Sequence, residues 1–365
     1  MNKILFLLCG VCIFSPLIVF SQVITIGMSN ALNGPTQELG QELSYGSQLY
    51  FDKYNRSEAG KKITIKVVSY DDGYEPDKAL FNTVNLIEKD KVFALFNYVG
   101  TPTSKAILPL IQKYSKIYFA PYTGAEFLRD ENLWHVYNIR ASYYEESELQ
   151  VKYFIDQLKL KNVALFLQAD EFGLAGAKGI TNSLKNRGIE NFKQYRYKRN
   201  SDSFTSFTKE LKNTPPDVIF CIGTYQPISQ LINQIRKANI TSKVAMLSFA
   251  GAASVQKRLN SFQDIYITTV VPNPSTSNLP IVKEYRRQNT KNPLNHESLE
   301  GYINAYTFTK ILEAIEGKPT NKSFHDSAAL VLNNPKMNPL SNGKNLYLKL
   351  HQITQSEFKE IKLTP

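Results

Sequence analysis

The chain is poor in the residues from which most enzyme centres are built. Its four histidines, His135, His296, His325 and His351, stand far apart and without the spacing of metal ligands. There is no Gly-x-Ser-x-Gly elbow, no Gly-x-Gly-x-x-Gly behind a strand, no Walker loop and no His-Glu-x-x-His pair. Gly173, Gly176 and Gly179 recur every three residues, which is not the dinucleotide pattern. Neither a metal nor a cofactor is expected, and an enzyme is disfavoured. Of the three cysteines, Cys9 and Cys12 fall in the first 21 residues, and Cys221 is alone in an apolar run. The fold must therefore hold without disulfides. Lys and Arg outnumber Asp and Glu by 43 to 32, a formal charge of +11. The basic residues are scattered, as in Lys159 with Lys161 or Arg286 with Arg287. No basic block and no aromatic-interleaved basic stripe is present, so no nucleic-acid partner is expected.

Long apolar runs are equally scarce. The one that approaches spanning length is Ile4 to Phe20, behind Lys3 and broken by Gly10, Ser15 and Pro16. It ends in Val19-Phe20-Ser21, with small residues where a signal peptidase cuts, and no small residue precedes Cys9 or Cys12 as a lipid-attachment site would need. Residues 1–21 are read as a cleaved signal peptide, and the mature protein as a soluble, periplasmic monomer.

What is present is a repeated alternation of strand and helix. Val23 to Met28, Ile63 to Ser69, Val92 to Phe96 and Ile117 to Ala120 are apolar strands separated by helical patterns, and a second series runs from Asn162 to Leu247. A tail over Asn345 to Ile353 and Phe358 to Leu363 alternates like a closing hairpin. With 365 residues, 42% of them hydrophobic, two cores are expected. The fold class is α/β, with two doubly wound Rossmann-like lobes built on mainly parallel sheets. One lobe is expected over 22–140 plus 250–335 and the other over 141–249 plus 336–365.

The stretch from Lys91 to Leu108 runs from an apolar strand through Gly100-Thr101-Pro102-Thr103-Ser104 into an amphipathic helix. Gly100 permits close backbone approach, and Pro102 suits a first helical turn, so free N–H groups point out of the strand's carboxyl end toward an anion. Asp217 to Ile232 repeats this plan through Gly223-Thr224-Tyr225. Polar or aromatic residues recur at the carboxyl ends of strands: Tyr98, Gly100, Thr101, Tyr122, Thr123, Phe172, Tyr225 and Phe249. Ligands of open α/β sheets bind outside those ends. The adjacent Asp71 and Asp72, before Gly73, are read as shaping a turn. In the competing reading of an exported enzyme they would join Asp170 and Glu171 as acid–base groups.

These stretches, taken in order, resemble the periplasmic solute-binding proteins of the branched-chain amino-acid (Leu/Ile/Val-binding) type. The likeness rests on Asn33-Gly34-Pro35, Tyr70-Asp71-Asp72-Gly73, Tyr98-Val99-Gly100-Thr101-Pro102-Thr103-Ser104, Pro121-Tyr122-Thr123-Gly124, Arg140-Ala141-Ser142-Tyr143-Tyr144, Asp170-Glu171-Phe172-Gly173 and Gly223-Thr224-Tyr225. It implies a type I periplasmic-binding fold with a three-crossover hinge. The implied partners are a small-molecule ligand and the membrane permease of an ABC importer, or alternatively a sensory membrane protein. In such proteins the loops matching Gly100-Thr101 and Tyr122-Thr123-Gly124 hold the ligand's carboxylate, and the positions of Phe172 and Tyr225 come from the opposite lobe. Amino-acid binders also place an acid near the position of Phe249. Here the segment Ser248-Phe249-Ala250-Gly251 has none, and a buried ammonium without a partner is costly. The expected ligand is a small carboxylate or polar-ended molecule with an apolar body and no α-ammonium.

Overall fold

The computed structural model describes residues 22–199, 201 and 204–364; the signal peptide expected over residues 1–21 lies outside them. Two sheets form. The first comprises β1 (Gln22–Asn30), β2 (Ile63–Asp71), β3 (Ala94–Phe96), β4 (Ile117–Phe119) and β5 (Val136–Tyr137), all parallel, in the order β2-β1-β3-β4-β5. The second comprises β6 (Val163–Gln168), β7 (Lys193–Tyr197), β8 (Val218–Ile222), β9 (Lys243–Met246), β10 (Ile265–Thr269), β11 (Lys349–Ile353) and β12 (Phe358–Glu360), in the order β12-β11-β10-β9-β8-β6-β7. Strands β6 to β10 are parallel, and the tail β11–β12 adds an antiparallel hairpin on β10. The central strands β3, β4, β6, β8 and β10 are buried at every position. That is why they read as continuous apolar runs: helices cover a parallel sheet on both faces.

Strand order reverses between β1 and β3 in one sheet and between β6 and β8 in the other. Each reversal opens a crevice at the carboxyl ends of the two strands, where flanking loops diverge to opposite faces. The chain leaves the first sheet after β5, returns to the first lobe's core through Ile281, Val282 and Tyr285, and crosses again after Leu340 to reach β11. The first lobe was expected to resume at residue 250. Instead β10 pairs in register with β9, Ile265 beside Val244, so residues through Thr269 stay with the second sheet.

One apolar cluster spans both lobes. It contains Leu39, Tyr74, Val99 and Tyr122 from the first lobe, and Tyr143, Phe172, Tyr225 and Phe249 from the second. Among the described residues no helix is long and apolar enough to cross a membrane.

Candidate ligand cleft

The polar end of the cleft is built by a break in regular strand geometry. Beyond β3 the chain continues through Asn97, whose φ is +51°, into an isolated parallel bridge between Val99 and Tyr122. The Gly100 N–H donates to the Tyr122 carbonyl at 3.2 Å, and the Tyr122 N–H to the Tyr98 carbonyl at 2.8 Å. Gly100 itself has φ +113°, and a Cβ there would lie 2.3 Å from the Tyr74 ring. Only glycine meets both demands. The helix Thr101–Lys113 starts here with proline in its first turn and no side chain capping it. Its first N–H groups lack intrahelical partners and carry the positive end of the helix dipole. Beside them Thr101 Oγ1 and Thr123 Oγ1 lie 2.7 Å apart, with the Tyr143 hydroxyl 3.2 Å from Thr123 and 3.4 Å from Thr101. Gly124 accepts the Tyr143 N–H at 2.7 Å, which ties this loop to the second lobe.

Aromatic rings wall this polar cluster. Phe249 sits among Phe172 at 4.5 Å, Tyr122 at 5.5 Å and Tyr74 at 6.0 Å between ring centroids, and Tyr143 lies 5.5 Å from Phe172. Both lobes contribute. Tyr225 is buried in the same apolar cluster without touching these rings; its hydroxyl accepts the Glu38 N–H at 3.4 Å under the Arg258 guanidinium. The structure thus brings together Gly100, Thr101, Tyr122, Thr123, Gly124, Phe172 and Phe249, with Tyr225 in the same apolar cluster.

Tyr98 is the exception. Its ring packs into the first lobe's own core with Ala79, Leu86 and Tyr118, and its hydroxyl bonds Thr83 at 3.0 Å. It contributes its backbone carbonyl to the loop and no side chain to the cleft. Tyr74 and Tyr143 take its place. Tyr143 stood in the motif Arg140-Ala141-Ser142-Tyr143-Tyr144, and Tyr74 directly follows the Asp71-Asp72-Gly73 turn, but no local pattern showed that either ring turns inward.

The four carboxylates of the enzyme reading are accounted for otherwise. Asp71 Oδ1 accepts N–H groups of Leu32, Asn33 and Gly73, and Asp72 accepts the Tyr74 N–H and the Ser29 hydroxyl. Asp170 caps the helix Glu171–Lys185 through the N–H groups of Phe172 and Gly173. Glu171 is exposed on that helix. All three aspartates therefore act on backbone geometry.

Behind Phe249 lies a buried cluster of charged groups. Arg140 lies 4.3 Å over the Tyr122 ring and 3.6 Å from Glu300, and its guanidinium also donates to the Ser248 hydroxyl. Glu146 accepts from the N–H and hydroxyl of Ser248 and from the Thr268 hydroxyl. Glu297 approaches within 3.6 Å of the point a Gly251 Cβ would occupy. An acid therefore does reach the Phe249 segment, from the distant helix His296–Glu313. Burial pushes both Glu297 and Glu300 up to about 7. A surface groove of about 740 Å³ between Tyr144–Lys152 and Pro339–Lys349 contains none of the cleft residues.

Comparison with known proteins agrees with this geometry. Residues 23–331 match the family described as periplasmic binding protein. The chain belongs to that family. A structure of a possible leucine/isoleucine/valine-binding protein from Rhodopirellula baltica superposes with TM-score 0.85 at 28% identity, covering 95% of this chain and 98% of that one. Among curated relatives, an amino acid binding protein of Pseudomonas aeruginosa is 20% identical over 223 residues, 60% of this chain and 59% of its own length. The Leu/Ile/Val-binding protein BraC3 of Rhizobium johnstonii is 24% identical over 214 residues, 57% and 56% of the two lengths. The match thus spans less than two thirds of those curated relatives. The family and its structural neighbours are binding proteins rather than enzymes, and the chain shares their type I fold.

Proposed function

We propose that the protein captures a small carboxylate-bearing ligand with an apolar body between its lobes, and delivers it to the membrane permease of an ABC importer. The observation that carries this reading is the uncapped helix start at Gly100-Thr101, set beside Thr123 and Tyr143 and walled by rings from both lobes. Unpaired N–H groups and hydroxyls suit a carboxylate. The rings suit an apolar or aromatic body. Residues 22–137 with 280–340 would form one lobe and 143–269 with 349–360 the other, closing about the three crossovers between them. Export behind a cleaved leader over residues 1–21 belongs to the same proposal.

The relatives named for leucine, isoleucine and valine suggest a second reading, favoured by Glu297 beside Gly251. An ammonium would draw on that carboxylate. Burial raises the Glu297 carboxyl, and an ammonium bound beside it would lower it again, so titration and not that shift separates the two readings. Calorimetric titration with benzoate, 4-hydroxybenzoate and leucine decides. The acids are expected to bind, and Thr101→Val combined with Thr123→Val to weaken them about tenfold, as loss of hydrogen bonds to a charged group implies. Micromolar binding of leucine with none of the acids, abolished by Glu297→Gln, would establish the second reading instead.

A further inference from the structure

The first crossover, between β5 and the helix Tyr143–Val151, places a cation behind the cleft. Arg140 lies in this crossover, where its carbonyl accepts a hydrogen bond from the Arg129 guanidinium at 2.9 Å that fixes the backbone as it leaves the first sheet. Its side chain is 2% exposed. The guanidinium lies 4.3 Å over the Tyr122 ring of the first lobe and donates to the Ser248 hydroxyl of the second. Ser248 opens the short turn Ser248–Ala250 that carries Phe249. Tyr122 and Phe249 face each other across the lobe boundary, 5.5 Å apart between ring centroids. One guanidinium thus bears on both rings, on Tyr122 directly and on Phe249 through its turn.

Two acids balance this charge from opposite lobes. Glu300, on the helix His296–Glu313 that packs in the first lobe's core, lies 3.6 Å from the guanidinium. Glu146, on the helix Tyr143–Val151 of the second, accepts the Ser248 N–H at 2.7 Å and the Ser248 hydroxyl at 2.8 Å. The hydroxyl therefore accepts from Arg140 and donates to Glu146, which fixes its direction. Stability alone does not account for the arrangement. Arg140 Nε and Nη1 make no hydrogen bond among the described residues, and a buried guanidinium with unfilled donors holds a fold no better than an apolar side chain of its size. What it supplies is geometry: a planar cation stacks on a ring face and keeps its donors in fixed directions, which a flexible ammonium does not.

We propose that Arg140 is a positioning residue of the ligand cleft: stacked behind Tyr122 and bonded to Ser248, it holds the two facing rings, one from each lobe, at the spacing against which the ligand's apolar body packs. It touches no ligand itself and acts through Tyr122 and the Phe249 turn. The inference rests on the reading of this cleft as the ligand site. It holds equally for a carboxylic acid and for an amino acid.

The test is a double-mutant cycle on affinity, in which wild type, Arg140→Lys, Tyr122→Leu and the double variant are titrated with benzoate and with leucine. Whichever of the two wild type binds reads the cycle. Arg140→Lys keeps the charge and loses the planar stack; it is expected to weaken binding about tenfold in the wild-type background and less than about twofold in the Tyr122→Leu background. A residue that only stabilises the fold or the hinge costs the same affinity in both, so equal losses, or no loss in either, would overturn the assignment. Should Arg140→Lys fail to fold, Arg140→Met, uncharged and of similar length, runs through the same cycle, and failure of both to fold would return Arg140 to a structural role. Coupling read with leucine alone would uphold Arg140 while overturning the carboxylate reading. Binding of neither ligand would overturn the proposed site and this inference with it.

Discussion

Arg258 and Glu38 stand on opposite lobes and meet at 2.5 Å, with the guanidinium 4.5 Å over the Tyr225 ring. Lys257 and Ser254 reach the same carboxylate at 2.7 and 2.5 Å. Glu75 with Arg199 forms a comparable pair elsewhere on the lobe boundary. Such contacts exist while the lobes touch and must break when they separate.

Arg258→Ala is therefore expected to favour the open form. Ligand affinity should fall about threefold to tenfold, mainly through a faster off-rate, with little change in melting temperature; titration and stopped-flow kinetics read both. The pair is partly exposed, so its contribution is about 1 kcal/mol and weakens with salt. Burial alone would raise the Glu38 carboxyl, but hydrogen bonds from Arg258, Lys257 and Ser254 outweigh it and hold the group at about 2. This contribution is present above about pH 4.5 and is lost as pH falls through about 2. Because pH 3 lies inside that window and pH 5 above it, scattering should give a larger radius at pH 3 than at pH 5.

Glu297 and Glu300 have the opposite sign. Burial raises both from 4.5 to about 7, so the folded protein holds protons that the unfolded chain releases. Their contribution to stability is fully present below about pH 4.5 and is lost as pH rises through about 7. Chemical denaturation should show stability declining across that window by a few kcal/mol, at about 1.4 kcal/mol per pH unit per group. Glu297→Gln should flatten the decline. A profile as steep as that of wild type would exclude this carboxyl as its source.

Gly46 carries the closest helix contact of the first lobe. A Cβ there would lie 1.7 Å from the Ser298 carbonyl oxygen, where the helix Gln37–Asn55 crosses His296–Glu313. Backbone cannot yield as a side chain can, so Gly46→Ala should cost about 3 kcal/mol, measured by thermal or denaturant unfolding.

Tyr98→Phe separates core from cleft. Loss of its bond to Thr83 should cost about 1 kcal/mol of stability and leave ligand affinity within error of wild type. Weakened binding without loss of stability would return Tyr98 to the cleft.

The fold was largely legible in the sequence because its signals are local. Val218 to Ile222 is apolar at every position because both faces of its sheet are covered, and the pattern Lys349–Ile353 with Phe358–Glu360 closes as the hairpin its alternation implies. The Gly100-Thr101 turn and the Asp71-Asp72-Gly73 turn were likewise readable, since glycine, proline and aspartate act on their own backbone. What the sequence could not decide was direction and distance. Asn97, at φ +51°, breaks the two-residue alternation, so the side on which Tyr98 falls depends on the bridge between Val99 and Tyr122. Nor does the apolar strand Ile265–Thr269 carry a mark of which sheet it joins, because either would bury it equally. Glu38 with Arg258, Arg140 with Ser248 and Glu297 with Gly251 meet only after two lobes have formed and docked. Each pair is far apart along the chain and takes its meaning from burial, and burial is a property of the tertiary structure alone.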